Sequence, residues 1–296
     1  MPMVLVEFTQ TVITGVSVGC IYALVALGLV ILFKATEVFS FVHGEIMMLG
    51  AFIAFTCITF FHMSYILSFL MAVLVTGLLG IGIERLTVRP LIGQPVFVIA
   101  ILTIGLGYVF RAFVSMVPQW GTETWGFKTP FSDQYLRSGE LVIAQDLVFI
   151  IVCTVLLILV LAAFFRFTKA GVALRATSQN QLAAVYMGIG VNKVFTLTWA
   201  ITAALGGIAG VLVSPLTFVH MYMGLFVIKA FPAAVLGGFS SIPGAIVGGL
   251  IIGVAESLSG FYLPEGWKSV TPWIILILIL LVRPQGLFGI QEKKKV

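Results

Sequence analysis

Long apolar runs alternate with short polar interruptions along the whole chain. Residues 4–33 form one apolar stretch of about thirty, longer than a single upright crossing of a bilayer core needs. Its beginning is made more polar by Thr9, Gln10, Thr11 and Thr14, and Gly15 and Gly19 lie inside it. The pattern predicts an interfacial or partly inserted helix leading into a first span near 16–33. Lys34, Glu37, Ser40, His43 and Glu45 then crowd together, and further runs follow at 46–61, 64–84 and 95–116. Glu84 and Arg85 close the second of these, with Arg89 and Pro90 just behind. A mixed stretch at 117–144 carries Trp120, Trp125 and Tyr135 among Gly, Pro and acids, a composition that favours a membrane interface.

The second half repeats the alternation. Runs at about 145–165 and 194–213 flank a polar segment, and two shorter pieces at 225–239 and 244–260 are separated by Ser240 to Gly244. A last run, 272–282, ends at Arg283 and Pro284, and the chain finishes on Lys293, Lys294 and Lys295. The fold class expected is an all-α, polytopic integral membrane protein. It has eight to nine transmembrane helices, one or more of them broken or re-entrant, in a single transmembrane domain over 1–296. The short 225–239 piece and the ambiguous first run leave the number open.

The polar segment Phe167–Asn192 carries Lys169 and Arg175, with Arg166 before it and Lys193 after it, and holds no acid. Ser178 and Gln181 have the spacing of a capping box, which can start a helix, and Gly188 supplies a stop. A short cationic helix between two spans reads as a docking element for a cytoplasmic partner. The plainer alternative is a solvated loop drawn to anionic lipid.

Composition agrees with the pattern: 60% of the 296 residues are hydrophobic and 9% charged, where soluble domains carry nearer a quarter. The net charge of +5 comes from bases dispersed at span ends, which does not suggest nucleic acid. Alternating sides backwards from a cytoplasmic tail puts Arg283, Lys293 to Lys295, Arg166, Lys169, Arg175, Lys193, Arg85, Arg89 and Lys34 inside. That bias sets the orientation and makes 117–144 a periplasmic loop. Cys20, Cys57 and Cys153 lie in apolar runs and read as small buried hydrophobes.

Candidate chemistry is sparse. Gly244/Gly248 and Gly249/Gly253 have the spacing for close helix approach, or for a broken helix lining a cavity. Lys229 and Glu256 are charges in apolar sequence, where ionisable residues usually pair or face a path. The dull reading has Lys229 snorkelling outward and Glu256 at a helix end. His43 with Glu45 could suggest metal or proton chemistry, but a metal needs more ligands than this spacing supplies, so a hydrogen-bonding role is expected. No phosphate-binding loop, nucleophile elbow or HExxH helix occurs, so neither ATP hydrolysis nor intramembrane catalysis is expected of this chain.

Five stretches resemble, in order, the branched-chain amino acid ABC-transporter permeases. They are GCIYALVALGLVILF (19–33), FSFVHGEIMMLGAF (39–52), GVALRATSQNQLAAVYMGI (171–189), KAFPAAVLGGFSSIPGAIVGGLIIGVAE (229–256) and RPQGLFG (283–289). The family often reads Asn-Phe-Ala-His-Gly where this chain has Ser40 to Gly44, and relatives carry urea, short amides or other amino acids. The length looks most like the shorter of two permeases that pair as a heterodimer.

The resemblance implies a bacterial inner-membrane importer for branched-chain or related hydrophobic amino acids. Its parts would be two permeases, two cytoplasmic ATPases that bind ATP and Mg, and a periplasmic binding protein, with no cofactor or metal on this chain. It also implies that Gly171, Arg175, Ala176, Asn180, Ala183, Gly188 and Ile189 form a coupling helix seated in the ATPase. The substrate path is placed at His43, Glu45, Lys229, Gly237, Gly238 and Glu256, with free amides near Gly237 and Gly238 as guesses for a carboxylate site. Two other readings remain: an ion-coupled secondary transporter, which needs embedded acids and has thin support in Glu256, and a scaffold without transport.

Overall fold

A computed structural model describes residues 3–37, 39–132, 134–138 and 140–289; Lys293 to Lys295 lie outside the described residues. Eleven α-helices are present among these: α1 (Met3–Thr36), α2 (His43–Thr59), α3 (Tyr65–Ile83), α4 (Val96–Met116), α5 (Gln145–Phe167), α6 (Lys169–Gln179), α7 (Gln181–Tyr186), α8 (Val191–Thr217), α9 (Phe226–Gly237), α10 (Ile242–Tyr262) and α11 (Trp267–Val282). Six helices are long and apolar enough to cross a membrane: α1, α3 with its extension to Leu91, α4, α5, α8 and α10. Three shorter apolar helices accompany them, α2, α9 with the turn before it, and α11. The protein is therefore an all-α polytopic chain, apart from one antiparallel hairpin, β1 (Tyr135–Ser138) and β2 (Leu141–Ala144), inside the long loop.

The chain separates into two compact units. The first contains residues 1–30, 131–154 and 227–296; the second contains 31–130 and 155–226.

In the first unit, α1 departs from expectation. No interfacial helix precedes the span, because one continuous helix of 34 residues runs to Thr36, roughly 50 Å at 1.5 Å per residue. The polar start is absorbed locally: the hydroxyls of Thr9, Thr11 and Thr14 donate to the carbonyls of Leu5, Glu7 and Gln10 at 2.7, 2.8 and 3.0 Å. Gly15 and Gly19 do not break the helix; they bring it onto α10. A Cβ at Gly15 would stand 2.8 Å from the Cα of Val254, and one at Gly249 would meet the backbone nitrogen of Ala23 at 2.5 Å. Gly244 and Gly248 instead face α9, at Gly237 and Ala233. The two GxxxG spacings therefore serve two neighbours, and both are packing surfaces. Between α9 and α10, Ser241 caps the second helix by accepting from the Gly244 amide at 3.1 Å, with Pro243 in the first turn.

The second unit is built around α2, α3 and α8. Leu32, Val42, Ile46, Ile83, Val88, Ile99, Trp199 and Ala203 form a buried cluster at one end of it. Small residues bring the helices into backbone contact: Gly50 faces Gly207, and Gly80 faces Trp199. The long loop folds onto α2, where Trp120 donates from Nε1 to the Thr56 hydroxyl at 2.7 Å and stacks near Phe52 at 5.2 Å. Trp125 packs on Phe55 at 5.3 Å. These tryptophans, expected at an interface, are spent on a protein contact. After α3 the chain makes a π-helical turn at Glu84–Val88 and a 3-10 turn at Arg89–Leu91, where Pro90 cannot continue an α-helix.

Candidate functional site

The polar segment after α5 is two helices, not one beginning at Ser178. Ser178 lies inside α6 and its hydroxyl returns to the Arg175 carbonyl at 2.8 Å, so the apparent capping box is not used. Thr168 starts α6 by accepting from the Gly171 amide at 2.9 Å, and Asn180 starts α7 by accepting from the Ala183 amide at 2.9 Å. The stop at Gly188 is as expected. Gly188 has φ +79°, its amide reaches Val185 at 2.9 Å, and the Ile189 amide reaches Ala184 at 2.9 Å, the two bonds of a Schellman ending.

Asn180, Ala183, Gly188 and Ile189 thus shape α7, and Gly171 shapes the α5–α6 corner. Leu174, Thr177 and Ala184 turn inward and are buried, Ala176 is half-buried, and Arg175 is exposed. The outward face of α7 is apolar: Leu182, Val185, Tyr186 and Met187 are all exposed, Tyr186 at 88%. Reading the segment by charge missed these four. Their signal was present as a Leu-x-x-Val-Tyr-Met pattern, but which face would be buried could not be read from it.

A network next to this segment also escaped the sequence. Glu84, 1% exposed, accepts both Arg89 Nε at 2.9 Å and Arg89 Nη2 at 3.0 Å, and the Thr196 hydroxyl at 2.9 Å. Arg89 donates in turn to Thr196 at 2.7 Å. The end of α3 is thereby tied to the second turn of α8, immediately after the α6–α7 pair.

His43 and Glu45 open α2 and are both buried. Their side chains go to different neighbours: a Cβ at Gly206 of α8 would stand 3.3 Å from His43 Cε1, whereas Glu45 forms an ion pair with Arg111 of α4. Arg111 is not one of the bases that the alternation of sides placed inside. Its guanidinium reaches inward along α4 and lies 5.8 Å from the Tyr108 ring and 5.6 Å from that of Tyr222, cation–π distances. Glu45 Oε2 and Arg111 Nε have no hydrogen-bond partner among the described residues.

In the first unit Lys229 and Glu256 meet, Nζ to Oε1 at 3.3 Å, and the Tyr22 hydroxyl donates to Glu256 Oε2 at 2.5 Å. Glu256 sits well inside α10 rather than at its end. Removing its carboxylate takes the acceptor from the Tyr22 hydroxyl and the ion-pair partner from Lys229. Glu256→Leu is expected to lower detergent stability by about 2–3 kcal/mol, below the full value for a buried pair because Lys229 is partly exposed. Glu256→Gln, which keeps an acceptor for Tyr22, loses less. Thermal denaturation of the two purified variants checks the order.

Gly237 and Gly238 do not offer the free amides guessed for them. The Gly238 amide bonds to the carbonyls of Ala234 and Val235, each at 3.0 Å. The stretch after α11 lies on this turn, with Leu287 donating to Leu236 at 2.8 Å and Phe288 to Gly237 at 3.2 Å. Gly238 has φ +95° and leaves no room for a Cβ against Gln285 and Gly289. The pair of glycines and the RPQGLFG stretch are one packed corner.

Residues 11–280 match the family described as branched-chain amino acid transport system / permease component. The chain is 34% identical to the high-affinity branched-chain amino acid transport system permease protein LivH of Salmonella typhimurium, over 98% of both chains. It is 33% identical to the permease protein BraD of Pseudomonas aeruginosa, again over 98% of both. A probable LivH permease of Methanocaldococcus jannaschii is 30% identical over 92% of this chain and 89% of its own length.

Proposed function

The chain belongs to the permease components of branched-chain amino acid transport systems, and from that premise we propose that it forms the membrane path of an ATP-driven importer for branched-chain or related hydrophobic amino acids. As a permease component it is not an enzyme; in this reading ATP and Mg are bound by separate ATPase subunits. The assembly proposed is this chain with a second permease, two cytoplasmic ATPases and a periplasmic binding protein in a bacterial inner membrane. The six long and three short apolar helices suit nine crossings or part-crossings. In that count α9, of 12 residues, is the shortest crossing, the amino terminus is outside, and the α6–α7 pair is inside.

One observation carries this reading: a capped helix pair between two crossing helices leaves Leu182, Tyr186 and Met187 exposed. Exposed apolar clusters of this kind mark interaction sites. A partner that grips α7 and moves it would act on α8 directly and on α3 through Glu84 and Arg89, shifting the helices between two arrangements. Gly171, Arg175, Ala176, Asn180, Ala183, Gly188 and Ile189 hold that handle in shape or lie on it. Lys229 and Glu256 are assigned to the path on their charge alone, and full transport in both Lys229→Met and Glu256→Gln would remove them from it.

Affinity purification in mild detergent tests the assembly. Wild-type protein is expected to bring down a second permease and two ATPases. Leu182→Glu with Tyr186→Glu is expected to keep the second permease and to reduce recovered ATPase by at least about tenfold, as for interface anchors. Undiminished ATPase in that variant would refute the docking role of α7.

A further inference from the structure

We propose that Glu45 and Arg111 form a site inside the membrane that reads the two charges of an α-amino acid, its ammonium going to Glu45 and its carboxylate to Arg111. This rests on the importer reading and adds to it the place where the permease itself selects its substrate.

Depth comes first. The Glu45 side chain lies against Gly107, the twelfth residue of the 21 in α4, where a Cβ would stand 3.2 Å from Glu45 Cγ. The ion pair therefore sits near the midpoint of a crossing helix. Charges there are expensive, and those that persist face a water-filled path or a functional partner. A hydrophobic pair of similar volume would hold α2 to α4 at least as well. Packing alone does not account for the two charges.

The surroundings point toward a path. Tyr108 and Tyr222, which flank Arg111, are 67% and 54% exposed. An arginine between two phenols at mid-depth is unsuited to lipid but suited to the wall of an aqueous route. Backbone evidence is independent of this. The chain stops being helical after Thr217, turns at Phe218 with φ +60°, and returns through a 3-10 turn at Met223–Leu225. Gly224 of that turn lies directly on the Glu45 carboxylate, where a Cβ would meet Oε2 at 2.7 Å. Irregular backbone at such a depth occurs where it lines a cavity or protein, not lipid.

The chemistry fits a zwitterion. Glu45 and Arg111 now pair with each other, while Oε2 on one and Nε on the other have no hydrogen-bond partner among the described residues. A substrate carrying one ammonium and one carboxylate replaces the pair with two charge-assisted pairs and leaves no buried charge uncompensated. Arginine can fork onto the carboxylate through Nε and Nη, which lysine cannot. The two tyrosine rings supply apolar surface for a branched side chain. Gly224 must withdraw for the ammonium to reach Oε2, so the 218–225 stretch acts as the gate of the site.

The test uses the complete transporter, reconstituted with its second permease, ATPases and binding protein. Glu45→Gln combined with Arg111→Met removes both charges at once and leaves no orphan. That double variant is expected to assemble with its partners and to import leucine on the order of a hundredfold more slowly. Import at the wild-type rate would show the pair to be structural and overturn the site alone. A wild-type assembly that imports no hydrophobic amino acid would overturn the importer reading and the site together. Arg111→Lys supplies the decision if the double variant does not assemble: it keeps the charge and loses the fork. A rise of about tenfold in the KM for leucine is expected there, and an unchanged KM overturns the proposal.

Discussion

Gly50→Val is expected to lower the amount of folded permease in the membrane several-fold. A Cβ at position 50 would stand 2.5 Å from the Cα of Gly207 and 2.8 Å from its carbonyl oxygen. Both obstacles are backbone, so no rotamer change relieves the clash. α2 and α8 must separate, and the separation is felt along the whole contact, including Gly206 on His43 and Gly210 on Met47. Membrane helices associate mainly through such close van der Waals packing, since lipid offers little hydrophobic drive for it. Overpacking costs typically 1–3 kcal/mol, and a backbone clash in the middle of a helix pair belongs at or beyond the upper end. Against a total stability of about 5–15 kcal/mol that is a large share. Fluorescence-detected size-exclusion of a tagged protein in mild detergent measures it. Gly82→Val is the control, because a Cβ there meets nothing within 4 Å and the peak is expected to be unchanged.

Gly171→Val is expected to spare folding and abolish coupling. Its Cβ would stand 2.7 Å from the Cα of Phe165 and press on the Phe164 carbonyl. That carbonyl already accepts both the amide and the hydroxyl of Thr168, at 3.2 and 2.7 Å. To make room, α6 must swing off the end of α5. It then loses the Thr168 cap, worth about 1 kcal/mol, and the burial of Leu174 and Thr177. Only the end of one crossing helix, α5, takes part in this corner, so the variant is expected to run at the wild-type position in size-exclusion. Substrate uptake is expected to fall by more than about tenfold, because a partner on α7 would no longer push on α8 in the same direction. Wild-type uptake in Gly171→Val would show that the corner does not transmit motion.

The places where reading the chain succeeded and failed have physical causes. Apolar runs located every long helix within a few residues, because a stretch of some twenty apolar residues has few other fates. Boundaries inside the polar segment were missed: Ser178 and Gln181 matched a cap by spacing, but Thr168 and Asn180 hold the extended backbone that a cap requires. Gly237 and Gly238 were taken for exposed amides, whereas the RPQGLFG stretch, nearly fifty residues later in the chain, fills the space around them. Lys229 and Glu256 were singled out correctly as anomalous charges, yet nothing local indicated that Tyr22 completes their cluster.

The amino-acid sequence by itself determined that this protein lies in a membrane, where its helices run, and which segment between them is polar and basic. These follow from composition over neighbouring residues, which solvent transfer energies read directly. Tertiary structure alone decided that Glu45 answers Arg111, that Glu84 ties α3 to α8, and that α7 leaves its apolar side uncovered. Each joins or orients residues far apart in the chain, and which partner a buried charge finds depends on how glycine contacts set the distance between helices.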